Sequence, residues 1–94
     1  MRRLWVLSML TALYFTASWC VPCRTFGPVM DKVSLVPVRR MDVDDATVPS
    51  THFHVMSVPT VILVEGEKEI GRFSGARSLE FVNNFIKSHQ GETA

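Results

Sequence analysis

The feature that most constrains this 94-residue chain is a short apolar run that leads directly into a pair of cysteines. Residues 11–17 read TALYFTA, and Cys20 and Cys23 follow within SWCVPCR. An apolar run of this length, bounded by small residues, is typical of a fully buried β-strand. From Val21 to about Ser34 the apolar residues recur at helical spacing. The sequence therefore predicts a strand, a cysteine loop and a helix in immediate succession.

Apolar periodicity and turn residues predict further strands and helices along the rest of the chain. The predicted elements are strands over 11–17, 35–43, 59–64 and 68–73, and helices over 21–34, 44–54 and 78–88. Gly27-Pro28 predicts a kink in the first helix, and the turn at 65–67 predicts an antiparallel hairpin. Strands joined by helices are expected to run parallel. The predicted fold class is α/β, with a central mixed β-sheet and helices on both faces.

Length and composition predict a single domain over residues 1–94. Hydrophobic residues make up 47% of the chain, which favours a filled interior. The net charge is +1 and charges of both signs are mixed, so neither nucleic acid nor a membrane surface is an expected partner. Residues 1–10 are not assigned to an element, and the polar segment 89–94 is expected to be a flexible tail.

The N-terminus allows two interpretations of localisation. The sequence MRR followed by LWVLSMLTALYFTA is similar to the basic and apolar regions of a secretory signal. If residues 1–17 act as a signal, the protein is secreted or periplasmic. If TALYFTA is instead a buried strand, the expected location is the cytoplasm, where so few cysteines are usual. The apolar run is shorter than the roughly 20 residues that span a bilayer, so no membrane helix is expected.

The cysteine pair is compatible with several kinds of chemistry. At the start of a helix, residues three apart lie close enough for a disulfide, and the first thiol sits at the positive end of the helix dipole. Cys20 is therefore the expected nucleophile, exposed and of lowered pKa, and Cys23 the more buried resolving thiol. Zinc would need His52 and His54 as further ligands, but their spacing is tighter than usual. Haem attachment would need His where Arg24 stands, and a structural disulfide over so short a loop would stabilise little.

Several of these residues together resemble the thioredoxin family from about residue 11 to residue 88. The residues that carry the resemblance are Trp19, Cys20, Val21, Pro22, Cys23, Pro28, Val58, Pro59 and Thr60. The resemblance implies a thioredoxin-like fold in which Trp19 shields the site and Pro28 kinks the helix. It also implies a cis peptide bond before Pro59 and a substrate surface that includes Gly75.

The resemblance implies a thiol–disulfide oxidoreductase that reduces protein disulfides through Cys20 and Cys23 without a metal or organic cofactor. The implied substrate-binding residues are Trp19, Val21, Pro22, Val58, Pro59 and Gly75, with the Val58 backbone pairing to an extended substrate segment. The implied partners are disulfide-bearing proteins and a reductase that recycles the dithiol, and the protein is expected to be a monomer. The alternative is a binding subunit of the same fold that docks a partner protein irrespective of redox state.

The chain departs from the family pattern in three places. The segment before the cysteines is about a dozen residues shorter than usual, so the first strand–helix unit is expected to be truncated. Val21 stands where the family commonly has Gly, which leaves the redox potential and the direction of the reaction open. Tyr14 aligns with a buried Asp that many thioredoxins use as the proton acceptor for the second cysteine. Unlike a carboxylate, a phenol does not accept a proton at neutral pH, so Tyr14 is expected to be core packing.

Overall fold

The computed structural model describes residues 10–45, 47 and 49–90. In order, the elements are β1 (Leu10–Thr16), α1 (Val21–Asp31), β2 (Val38–Asp42), β3 (Thr60–Glu65), β4 (Lys68–Ser74) and α2 (Leu79–Gln90). The four predicted strands are confirmed, and so are the first and last predicted helices. Residues 89 and 90, which were expected to begin a flexible tail, instead form the end of α2. The expectations for residues 1–9 and 91–94 lie outside the described residues. Neither described helix is long and apolar enough to cross a membrane.

The cysteine-bearing helix α1 is one continuous helix with Pro28 inside it. It ends at Asp31, three residues before the predicted end, where Lys32 caps it. Proline is tolerated at Pro22 because the amides of the first helical turn have no partner within the helix. Helix α2 begins as predicted, since the Ser78 hydroxyl accepts a hydrogen bond from the Phe81 amide at 3.1 Å.

The strands form one mixed sheet in the order β2-β1-β3-β4. β1 and β2 are parallel and are joined by α1, as the helical crossover predicts. β3 is antiparallel to both β1 and β4, so the expectation of a parallel β3 is wrong. The segment between β2 and β3 begins after Asp42 and ends before Thr60 at the same edge of the sheet, so β3 runs in the opposite direction to β2.

The main core lies between the sheet and the two helices, which pack on the same face. Its aromatic members are Tyr14, Phe26 and Phe73, with Met30 and Ile86 beside them. Phe26 packs edge-on against both other rings, at centroid distances of 5.6 Å and 6.1 Å. Edge-to-face packing of this kind contributes about 0.5–1.5 kcal/mol per pair beyond burial.

The opposite face of the sheet carries no helix among the described residues, which corrects the expectation of helices on both faces. Phe15, Ile62 and Val64 are buried there and pack against the irregular segment that contains Phe53 and Val55. Irregular chain covers this face, since the described residues of the predicted helix over 44–54, namely 44, 45, 47 and 49–54, form turns and no α-helix.

Local hydrogen bonds explain the absence of that helix. The Asp45 carboxylate accepts from both the amide and the hydroxyl of Thr47, a local turn that competes with helical pairing. A single helical turn follows, in which the Phe53 amide donates to the Pro49 carbonyl. His54 then adopts the left-handed conformation at φ 55° and ends the turn.

The sheet topology brings four chain segments to one edge of the sheet, by which we mean the edge formed by the last residues of β1, β2 and β4 and the first residue of β3. The register pairs Asp42 with Thr16, and Thr60 with Ser74, at this edge. The residues just outside it are therefore Asp44 after β2, Cys20 after β1, Pro59 before β3 and Gly75 after β4. Adjacent strands are about 4.8 Å apart, so this row of four segments spans roughly 14 Å.

Candidate active site

Cys20 and Cys23 form a disulfide at the centre of this edge, with their Cα atoms 5.3 Å apart. Cys20 is the N-cap of α1, in extended conformation at φ −85° and ψ 109°. The Cys23 amide donates a hydrogen bond to the Cys20 sulfur at 3.3 Å. The cap position therefore directs an otherwise unpartnered helical N–H and the positive end of the helix dipole at Cys20. This environment favours a thiolate at Cys20 when the disulfide is reduced.

Both cysteines are buried in this oxidised state, with 3% of Cys20 and 6% of Cys23 exposed. The prediction that Cys20 is the exposed residue of the pair is wrong here, because Ala17, Val43 and Val58 pack around the disulfide. Exposure therefore does not distinguish the roles of the two sulfurs. The two residues differ in position, since Cys20 is the N-cap of α1 and Cys23 lies within its first turn.

Trp19 lies beside the disulfide with 63% of its surface exposed. Its indole N–H donates to the Asp44 carboxylate at 2.8 Å. The Asp44 amide in turn donates to the Asp42 carboxylate at 2.9 Å, which holds the start of the turn after β2. Sequence reasoning assigned Asp44 to a helix and missed it as a neighbour of the site. The position of Asp44 two residues beyond a strand parallel to β1 is the signal that could have found it.

Pro59 is fully buried on the other side of the disulfide, and the Val58–Pro59 peptide bond is cis. Val58 is half-buried and packs on the cysteine cluster. The Gly75 amide donates to the Pro59 carbonyl at 2.9 Å, and Gly75 has a φ of 88° that favours glycine. The structure thus brings the predicted residues Val58, Pro59 and Gly75 together at the site.

An apolar groove of about 170 Å³ opens next to the disulfide. Its lining residues are Trp19, Val43, Val55, Met56, Ser57 and Val58. Met56 is 91% exposed and Val21, on the first turn of α1, is 66% exposed. Sequence reasoning missed Met56, because a single Met outside a periodic pattern carries no signal. Exposed apolar side chains grouped in this way are typical of a surface that binds another chain.

Tyr14 lies beneath the cysteine-bearing turn of α1 and is fully buried. Its hydroxyl donates to the Cys23 carbonyl at 3.4 Å, and the Arg40 guanidinium lies 5.1 Å from its ring centroid. The expectation that Tyr14 is core packing with a satisfied hydroxyl is confirmed. Residues His52 and His54 lie in the turn after β2, and the described part of the chain contains no group of three or more His, Cys, Asp or Glu that could hold a metal ion.

Comparison with known proteins identifies the family to which this chain belongs. Residues 6–88 match the thioredoxin family model. The chain belongs to the thioredoxin family. It is 31% identical over 88 residues to a thioredoxin of Chlamydia pneumoniae, an alignment that covers 89% of this chain and 86% of that protein. It is 32% identical over 84 residues to a thioredoxin of Chlamydia caviae, covering 85% and 82%.

A solved structure supports the same assignment. The thioredoxin of Fasciola hepatica superposes with a TM-score of 0.77 at 29% identity, covering 87% of this chain and 82% of that one. Membership of the family, together with a cysteine pair at disulfide distance, makes this protein a thiol–disulfide oxidoreductase. Its substrates as a class are proteins that contain disulfides, and such enzymes work with a reductase partner.

Proposed function

We propose that this oxidoreductase acts as a reductase of protein disulfides, with Cys20 as the attacking thiol and Cys23 as the resolving thiol. The observation that carries the assignment is the hydrogen bond from the Cys23 amide to the Cys20 sulfur at the helix cap. The same N–H and the helix dipole would stabilise negative charge on Cys20 in the reduced protein.

The reaction proceeds by two thiol–disulfide exchanges. The Cys20 thiolate attacks one sulfur of the substrate disulfide, forms a mixed disulfide, and releases the other substrate sulfur as a thiolate. Cys23 then loses its proton and attacks the Cys20 sulfur, which re-forms the Cys20–Cys23 disulfide and releases the second substrate thiolate. The substrate gains two electrons and two protons, and the protein loses the same. A recycling reductase returns them to the disulfide.

The surface around the disulfide supplies the substrate contacts in this proposal. Trp19 and Val21 offer exposed apolar area on one side, and Val58, Pro59 and Gly75 form the other side. The half-buried Val58 lies against the cysteines, so an extended substrate segment can pair with its backbone and place a sulfur in line with Cys20. Pro22 lies between the cysteines in the first turn of α1, where its ring fixes the backbone angle φ.

The presence of Tyr14 beneath the cysteines determines how Cys23 can lose its proton in the resolving step. Its hydroxyl hydrogen-bonds to a carbonyl, and a phenol does not take a proton at neutral pH as a carboxylate does. Proton loss from Cys23 therefore passes to water or to the departing substrate thiolate. We propose that resolution is slower here than in family members that carry a buried carboxylate at this position.

The proposed setting is a reducing cytoplasm, in which the protein works as a monomer. The chain contains two cysteines and both lie at the site, a usage that suits a reducing compartment. Its net charge of +1 offers no strong general attraction to nucleic acid or membranes. Sedimentation of the purified protein tests the monomer proposal, and a concentration-dependent dimer would contradict it.

The reduction potential tests the proposed direction. The purified protein is equilibrated with glutathione buffers of known ratio, and the fraction of Cys20–Cys23 disulfide is read by mass after alkylation. A reductase should have a potential near the −270 mV that is typical of thioredoxin, whereas a value near −120 mV would identify an oxidant. The Cys20→Ser, Cys23→Ser double variant is the control, because it should show no transition.

A further inference from the structure

The charged residues at the two ends of the active-site edge differ in sign. Asp44 lies at the β2 end, beside Trp19, and Arg77 lies two residues after Gly75 at the β4 end. The strand order places the disulfide and Pro59 between them. A substrate segment that crosses this edge therefore meets a carboxylate on one side of the disulfide and a guanidinium on the other.

Arg77 is held beside the substrate surface and does not extend freely into solvent. Its Nε donates to the Ser74 carbonyl at 3.2 Å, and its guanidinium lies 4.9 Å from the centroid of the Phe81 ring. The same Nε is 3.9 Å from the position that a Cβ on Gly75 would occupy. Arg77 therefore lies against the segment that contains Gly75. The Gly75 amide is in turn hydrogen-bonded to the carbonyl of Pro59, which flanks the disulfide.

The charge of Arg77 is available to a substrate. The two ion pairs among the described residues are those of Arg40 with Asp31 and of Arg72 with Glu69, so no described carboxylate neutralises Arg77. Arg77 is exposed at the surface. An exposed cation acts over about one Debye length, which is about 8 Å at physiological ionic strength. The distance from the β4 end of the edge to its centre is of that order.

We infer that Arg77 selects disulfide substrates that carry an acidic residue within about two positions of the attacked cysteine. Two extended residues span about 7 Å, which matches the distance from the centre of the edge to its β4 end. Basic residues at the same position are disfavoured by repulsion from the guanidinium. The inference rests on the proposed function and adds a charge preference to it.

The test uses symmetric disulfide dimers of three short peptides that differ only two residues from the cysteine, where they carry Asp, Ser or Lys. The reduced protein reacts with each dimer in a single turnover, and the released thiol is quantified by chromatography. Each rate is divided by the rate with dithiothreitol, an uncharged thiol, to remove the intrinsic reactivity of the peptide. At low ionic strength the Asp peptide should react about 2–5 times faster than the Ser peptide, the range expected for one exposed charge pair.

Substitutions at Arg77 give the decisive comparison. Arg77→Gln should remove the acidic preference, Arg77→Glu should reverse it, and Arg77→Lys should keep it. Lys87→Glu is the matched control, because it makes the same charge change about two turns into α2, ten residues after Arg77, and should leave the preference unchanged. High salt should reduce the wild-type preference towards one.

The outcomes separate this inference from the proposed function. If the wild-type protein reduces none of the peptides, the proposed function fails. If it reduces the Asp and Ser peptides equally, or if Arg77→Glu keeps the preference for Asp, the inference is wrong and the proposed function stands. A preference that survives Arg77→Gln but disappears in Arg24→Gln would assign the selection to the exposed cation that follows Cys23 and would also overturn the inference.

Discussion

Removal of the Tyr14 hydroxyl tests how the buried layer beneath the cysteines supports the reaction. We predict that Tyr14→Phe lowers the free energy of unfolding by less than about 1 kcal/mol and changes the turnover rate by no more than about threefold. The prediction is specific because Tyr14 is fully buried and its hydroxyl contacts the resolving residue itself, through the Cys23 carbonyl.

The stability change follows from the contacts of the side chain. A neutral intramolecular hydrogen bond contributes about 0.5–1.5 kcal/mol net, and the distance of 3.4 Å is longer than is usual between two oxygens. The Cys23 carbonyl belongs to the first turn of α1, where helical pairing gives it another partner. The ring keeps its edge-on contact with Phe26 and its position under Arg40. The expected loss therefore lies in the lower part of that range.

The small kinetic effect follows from the chemistry of the hydroxyl. General acid–base catalysis by a positioned side chain contributes roughly 100-fold to 10,000-fold. A hydroxyl that donates to a backbone carbonyl is not positioned to take the Cys23 proton. Its removal should therefore leave the resolving step almost unchanged.

The assay combines two measurements on the same samples. Thermal unfolding gives the stability change, for which 1 kcal/mol corresponds to about 4–8 °C in a domain of this size. Rapid quenching then follows the release of the second substrate thiol from the mixed disulfide, with Cys23→Ser as the variant in which no release occurs. A hundredfold slower release at unchanged stability would show that the Tyr14 hydroxyl takes part in the proton transfer and would refute our reasoning.

Three further predictions concern stability and are checked by urea unfolding. Because Arg72 holds the pKa of the Glu69 carboxyl below its ordinary value of 4.5, this pair stabilises the fold above that pH; Glu69→Gln should cost up to about 1 kcal/mol at pH 7, and the cost should shrink as the pH falls below 4.5 through the lowered pKa, so a cost that does not change with pH would contradict this. A Cβ on Gly71 would lie 2.5 Å from His89 Nε2, so Gly71→Ala should destabilise the protein and His89→Ala should recover part of the loss; no recovery would count against the contact. His54→Gly should stabilise by up to about 1 kcal/mol because φ is 55° there, and a loss of stability would show that the His54 side chain matters more than its backbone.

The parts of the fold that the sequence predicted correctly depend on local pattern. The apolar run that ends at Thr16, the helix that starts after Cys20 and the serine cap at Ser78 each follow from neighbouring residues. The cysteine pair was recognisable because two thiols at this spacing at the start of a helix are compatible with few other kinds of site.

The parts that failed depend on contacts between distant residues. The turn from Asp45 to His54 looked helical because its capping residues are the same ones that form competing local turns. The burial of Cys20 comes from Val58, which is remote in sequence. The same is true of the hydrogen bond from Trp19 to Asp44 across 25 residues. Sequence pattern alone does not place such pairs.

Mass spectrometry of trapped intermediates tests the central claim most directly, which is that Cys20 attacks and Cys23 resolves. The reduced Cys23→Ser and Cys20→Ser variants are each mixed with the same symmetric peptide disulfide and quenched with acid. The intact mass of each protein is then measured. We predict that Cys23→Ser accumulates one peptide joined to Cys20, while Cys20→Ser reacts far more slowly. Rapid adduct formation on Cys23 in the Cys20→Ser variant, with none on Cys20 in its counterpart, would contradict it.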